Sequence, residues 1–443
     1  MRIQLSDHFT YPKLLRFVLP SIIMMICTSV YSIVDGLFIS NYVGKTPFAA
    51  VNLIFPALMV MGTVGFMIGT GGSAIVAKTL GQGDRENANR YFSMLIYAAI
   101  VFGIVLSIPG FIFIRPISIA LGATGEMVES CVLYGRILIV GQTAFILQNV
   151  FQSFFVVAEK PHLSLGLSIA AGLTNFVLDF LFIAVFQWGL AGAAAATVTG
   201  QAVGGILPLI YFARKNDSLL RLTRTRLEGR ILLRACGNGS SEMLTNLSAS
   251  LVNMLYNFQL IKLAGEDGVA AYGAIMYVCF IFAAIFIGYS IGSAPVISYH
   301  YGAGNHAELK NLFRKSLILI GVCSVAMALL AELLAFPLTK AFVGYDSALH
   351  AMTCWGFRLY AISFLLSGVN AFGSAFFTAL NNGVVSAVIS FMRTLVFQCV
   401  VILVLPVFLK LDGVWLSLPL AEALSLAVTV FFFVRKRNQY HYA

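Results

Sequence analysis

Apolar runs of about 20 residues recur along the whole of this chain, and they fix the class of fold before any motif is considered. A run of that length crosses the hydrocarbon core of a bilayer as a helix. Helices and closed barrels are the only structures that leave no backbone group unsatisfied there. Twelve spans are expected, at about 14–40, 48–77, 92–114, 127–157, 164–186, 190–212, 236–261, 269–299, 316–339, 350–380, 384–408 and 414–434. Composition agrees, with 59% of the 443 residues hydrophobic and 10% charged, against about 25% charged in a soluble domain.

The net charge of +10 is not a nucleic-acid signature, because the basic residues sit in short loops between apolar runs. They report orientation instead. With the N-terminus placed in the cytoplasm, twenty Lys and Arg residues fall on the inside and five, at Lys45, Arg115, Lys262, Lys340 and Lys410, on the outside. Both termini are therefore expected in the cytoplasm, with the chain in the cytoplasmic membrane. The opening segment lacks the three-part pattern of a cleaved signal, so the first apolar run is expected to remain as a helix.

The chain is also an internal duplication. Shifted by 221 residues, Gly44 falls on Gly265, Gly81 and Gly83 on Gly302 and Gly304, Asn149 on Asn370, Gly192 on Gly413, and Arg214-Lys215 on Arg435-Lys436. Six spans per repeat is an even number, so the two halves cross the membrane in the same sense and are related by an axis along its normal. The expected fold is thus an all-α membrane protein with twelve transmembrane helices in two parallel-repeat six-helix lobes. Residues 1–212 form the first lobe and 236–443 the second, joined by a basic cytoplasmic linker at 213–235. Such a plan, with a site between repeats, is that of a secondary transporter.

Other classes lack their chemistry. Gly44-Lys45-Thr46 is the only GKT, and position 39 is Ile where a phosphate loop needs Gly. The seven cysteines are scattered, with no CxxC, and read as small buried hydrophobes. The six histidines lie in loops or at span ends, without metal spacing. No enzyme and no cofactor are expected, and no nucleic-acid partner.

Five carboxylates fall inside spans: Asp35, Asp179, Glu242, Glu332 and Glu422. A charge in hydrocarbon costs about 2.5–3.5 kcal/mol on insertion scales, so such residues are functional by default. The duplication sharpens this. The repeat partner of Asp35 is Tyr256 and that of Asp179 is Val400, so the scaffold is repeated but the acids are not. Asn175 and Asp179 share a helix face at i, i+4, as do Thr197 and Gln201, with Ala193 one turn earlier. Carboxylate, amide and hydroxyl oxygens suit a hard cation such as Na⁺; a close carboxylate pair can instead share a proton. Arg393 and Glu422 are expected to pair within the second lobe, since each alone would be expensive. Gln142, Asn149 and Asn370 are expected to face the lobe interiors.

Pro20 followed by Asp35 in VYSIVDGLFISNYVG, Asn175 and Asp179 in TNFVLDFLFI, the GLAGAAAAT stretch from Gly189 to Thr197, and the two GxG turns resemble the multidrug and toxic compound extrusion (MATE) family, over essentially the whole chain. The resemblance implies export of amphipathic, often cationic compounds in exchange for Na⁺ or H⁺. It implies a cation or proton site at Asp35, Asn175, Asp179 and Thr197, assisted by the Ala193 carbonyl, with Na⁺ as the metal ion it would take. It implies that Pro20 lets the first span bend, since proline removes a helical hydrogen bond; the other reading is a proline at the start of that helix. Glu242, Gln201 and Tyr31 are further candidates for coupling or substrate contact. A monomer surrounded by lipid is expected. The alternative function is that of a lipid-linked precursor flippase or polysaccharide exporter of the same superfamily.

Overall fold

Left-handed backbone residues set where this apolar chain turns back. Gly44 (φ 117°) separates α1 (Tyr11–Phe38) from α2 (Lys45–Gly81). Gly83 (φ 82°) separates α2 from α3 (Arg85–Ala120), supplying the conformation that a helix end needs and a Cβ would oppose. One bent span comprises α4 (Glu126–Val140) and α5 (Gln142–Val157), which meet at 55°. Next come α6 (Pro161–Asp179) and α7 (Gly189–Ala213), then a short α8 (Gly229–Asn238). The second half holds α9 (Ser240–Gly302), α10 (His306–Val343), the 48° pair α11 (Ser347–Ala361) and α12 (Phe364–Ala379), α13 (Gly383–Phe391) and α14 (Gln398–Tyr440). The computed structural model describes residues 3–344 and 346–443; the side chains of Ser32, Leu37, Ser40, Asn41 and Lys45 lie outside the description, as does Arg2.

Two of these helices are double length and reverse direction at a single residue. In α9 the break is Gly265 (φ 62°, ψ −147°). The arms on either side run against each other: Tyr256 stacks on Tyr272 at 4.9 Å and the Tyr272 hydroxyl donates to Asn253 at 2.8 Å. In α14 the break is Lys410 (φ 52°), and a Cβ on Gly413 would lie 2.6 Å from the Leu405 carbonyl. Counting each hairpin as two spans and each bent pair as one gives twelve spans in two lobes. The turns obey the repeat: Gly44 and Gly265, Gly83 and Gly304, Gly189 and Lys410 all take positive φ at the 221-residue offset.

The helices overrun the apolar stretches. α3 starts at Arg85, not near 92, because the Asp84 side chain accepts the Asn87 N–H and caps a water-exposed first turn. The stretch expected as linker is not all loop either. Its last part is the start of α8, where Ala235 is buried, and Ile231 and Leu232 half-buried, against the first lobe's core.

The lobes touch through α1, α2 and the arm 266–302 of α9. Small residues bring backbones together: a Cβ on Gly288 would lie 2.5 Å from Ile22 Cα, and one on Gly239 2.0 Å from the Met67 carbonyl. Asn238 Nδ2 donates to the Gly71 and Thr378 carbonyls, at 3.5 and 2.8 Å, and Asn381 Nδ2 to the Ala74 carbonyl at 3.4 Å. These contacts lie in the half of the molecule that carries both termini. The N-terminal segment ties the lobes further there. Leu5 N–H donates to Glu159 in the first lobe at 2.7 Å, and Phe9 N–H to Glu308 in the second at 2.9 Å.

Candidate functional site

Asp35 lies near the end of α1, just before a π-helical turn at Ile39–Val43. Asp179 ends α6 and is followed at once by a second π-helical turn, Phe180–Val185. Such turns widen a helix locally and recur at functional sites. The Asp35 side chain reaches both Asp179 and Asn175. Asp179 is 0% exposed, and both its oxygens lack a hydrogen-bond partner. Asp35 Oδ1 and Asn175 Nδ2 are likewise buried and unpartnered.

The other wall comes from α7 and α4. The Thr197 hydroxyl donates to the Ala193 carbonyl at 3.0 Å. The Tyr134 hydroxyl reaches Thr197, and its ring, 2% exposed, sits in the field of both Asp35 and Asp179. The close approach of α6 and α7 depends on Gly200, where a Cβ would lie 2.9 Å from the Ala171 carbonyl and 3.0 Å from Asn175 Cβ. Two facing carboxylates with three of their four oxygens buried and unpartnered are costly in low dielectric unless a cation or proton is shared between them. A cation or proton taken up between the two carboxylates would relieve that cost.

The structure thus brings Asp35, Asn175 and Asp179 together with Thr197 and Ala193 behind Tyr134. Tyr31 is one turn from Asp35, half-buried, with its ring 3.5 Å from where a Cβ on Gly172 would be. Gln201 is half-buried one turn beyond Thr197. Pro20 is buried within α1, nine residues after the helix begins; Pro12 is the proline at the helix start. α1 passes through Pro20 with no break in its dihedrals, alongside the arm 266–302.

Glu242 is not in the cluster. It lies in the second lobe, in the field of Arg393. Arg393 and Glu422 do pair: Nε donates to the two carboxylate oxygens at 2.9 and 3.1 Å, and Nη2 to Oε1 at 2.8 Å. Asn370 Nδ2 donates to Glu422 Oε2 at 2.7 Å, and Thr429 Oγ1 to Asn370 Oδ1 at 3.0 Å. Gln142, Asn149 and Asn370 are all buried. Glu332 lies 3.7 Å from Arg358, both half-exposed. Among the described residues no three His, Cys, Asp or Glu side chains could hold a metal. Tyr134 is the residue that sequence reasoning missed. Its only signal was a hydroxyl in the middle of an apolar span.

A profile of the MatE family matches residues 20–181 and again 242–404, once in each half. The chain belongs to the MatE family. A MatE protein is a transporter of the membrane rather than an enzyme. The multidrug export protein MepA of Staphylococcus saprophyticus is 23% identical over 430 residues, covering 96% of this chain and 94% of that protein. MepA of Staphylococcus haemolyticus is 23% identical over 436 residues, covering 98% and 95%. A crystal structure of a MATE protein in complex with MaL6 superposes with a TM-score of 0.93 at 22% identity, over 98% of both chains. The structure described as the outward-facing conformation of a multidrug resistance MATE family transporter superposes at 0.92, at 22% identity and over 98% of both chains. The MatE fold is therefore shared along the full length.

Proposed function

We propose that this chain is a multidrug efflux antiporter that exports amphipathic, often cationic compounds in exchange for Na⁺ or H⁺. Membership of the MatE family and likeness to multidrug export proteins along nearly the whole chain support the export of drugs. The single observation that carries the coupling is the Asp35–Asp179 pair beside Asn175, in which both Asp179 oxygens and Asp35 Oδ1 are buried and unpartnered. A proton or Na⁺ entering between them removes the repulsion. Thr197, with the Ala193 carbonyl behind it, would complete the oxygen set, and Tyr134 would hold Thr197 in place. The charge asymmetry of the loops supports both termini in the cytoplasm. The lobe contacts lie in the terminus-bearing half, so on that orientation the structure is closed to the cytoplasm and substrate leaves on the far side. The lobes are residues 1–212 and 236–443, and the working unit is a monomer. Pro20, in α1 against the second lobe, is where an ion bound at Asp35 would be felt as bending.

The test is ethidium efflux from proteoliposomes under separate Na⁺ and H⁺ gradients. Each charge moved across 100 mV supplies about 2.3 kcal/mol, enough for about a fifty-fold concentration ratio. Wild type should respond to one gradient and Asp179→Asn to neither. Undiminished pumping by Asp179→Asn would make the pair structural, with Glu242 the next coupling candidate. Failure of wild type under both gradients would point to lipid-linked substrates instead.

A further inference from the structure

A basic cavity of about 840 Å³ opens on the terminus-bearing face, away from the carboxylate cluster, between the first turns of α3 and the segment that joins the lobes. Arg85, Arg90, Arg224 and Arg226 line it, against a single acid, Glu86. The joining segment is fixed along α3. Arg221 N–H donates to Asn89 at 2.6 Å, Thr223 N–H to Ser93 Oγ at 2.8 Å, and Thr225 Oγ1 to the Arg90 carbonyl at 3.1 Å. With Thr223 and Thr225 turned onto the helix, the alternate residues of an extended segment turn away from it. Those are Arg224 and Arg226. Both are exposed, and neither side chain has a hydrogen bond or ion pair among the described residues, whereas Arg85 donates to the Ser218 carbonyl at 3.1 Å.

The cavity is not a purely ionic surface. Leu227, which follows Arg226 of its lining, is 75% exposed. Below it, α3 presents Tyr97, Val101, Ile104 and Ile108, all 45–58% exposed. Spacings of 7, 11, 14 and 18 residues from Arg90 put these on the same helix face. A ligand seated here meets guanidinium groups at one end and a continuous apolar track at the other.

We propose that the cavity binds the phosphate headgroup of an anionic phospholipid, whose acyl chains run down the Tyr97–Ile108 face. Free phosphate would use the arginines and leave Leu227 and the track uncovered. Clusters of basic residues at the membrane surface attract anionic lipid in this way.

The purified full chain in detergent, titrated with dioleoyl phosphatidylglycerol and with dioleoyl phosphatidylcholine and read by native mass spectrometry, tests this. Wild type should bind the anionic lipid at least tenfold tighter. Arg224→Gln/Arg226→Gln should weaken that binding about thirty-fold and leave the choline lipid unchanged. Arg435→Gln/Arg437→Gln, removing two arginines elsewhere on the same face, should change neither. The proposal is overturned by equal affinity of wild type for the two lipids, by retention in the first variant, by an equal loss in the second, or by displacement of the lipid by millimolar inorganic phosphate. The first variant alters exposed side chains with no hydrogen bond or ion pair among the described residues, and gel-filtration profiles matching wild type confirm the folding of both.

Discussion

Gly81 and Gly302 oppose each other across the boundary between the lobes, and they are the same position of the two repeats. A Cβ on Gly81 would lie 2.0 Å from the Tyr299 carbonyl, and one on Gly302 2.0 Å from the Lys78 carbonyl. The pseudo-two-fold axis passes between them, so this close approach of the halves needs glycine on both sides. Because the obstructing atoms are backbone, a side chain at either position forces the helices apart.

Gly81→Val should therefore open the terminus-bearing face. Spin labels at Gln82 and Ala303 should move apart in electron resonance distance measurements, and stability should fall by about 1–3 kcal/mol, as for other overpacked sites. An unchanged separation would mean that the contact does not hold the lobes together.

The Arg393–Glu422 pair should behave as a buried ion pair. Arg393→Met alone should cost about 3–5 kcal/mol, because it strands the Glu422 carboxylate. Adding Glu422→Leu should recover most of that loss. Thermal unfolding in detergent checks both, and a double variant no better than the single one would contradict the account.

Tyr134→Phe removes one hydroxyl beside Thr197 without opening space. One hydrogen bond contributes about 0.5–1.5 kcal/mol, so the concentration of driving ion at half-maximal efflux should rise about two- to tenfold with the maximal rate preserved. An unaltered ion dependence would remove Tyr134 from the site.

The N-terminal segment bridges Glu159 and Glu308, and His8 Nδ1 lies 2.6 Å from Glu308 Oε2. Glu308→Gln should speed amide exchange at residues 5–9 more than elsewhere. Acid should act on the same segment through Asp7. Burial raises its carboxyl, but the Lys13 ammonium and the Gln4 amide outweigh that and hold it below the ordinary carboxylate range. A lowered folded value contributes stability above the ordinary range, lost as pH falls through the folded value. Exchange at Gln4 to Phe9 should thus rise below about pH 4, and a flat profile would contradict it.

Hydropathy and a constant offset are local or linear properties, and the sequence carries both. They determined the twelve spans, the matched turns at Gly44 and Gly265, and the confinement of Asp35 and Asp179 to one half. The same offset exposed Gly81 and Gly302 as a pair but not that they touch. The azimuth of each helix about its axis, and the neighbour it meets, belong to packing between residues a hundred or more positions apart. Only the tertiary structure could bring Tyr134 to Thr197, give Glu242 to Arg393 instead of the acid cluster, place Pro20 inside a helix running against the second lobe, and fold the basic linker onto α3. Apolar periodicity says that a face is buried. Which face it is buried against is decided by backbones that approach only where glycine allows.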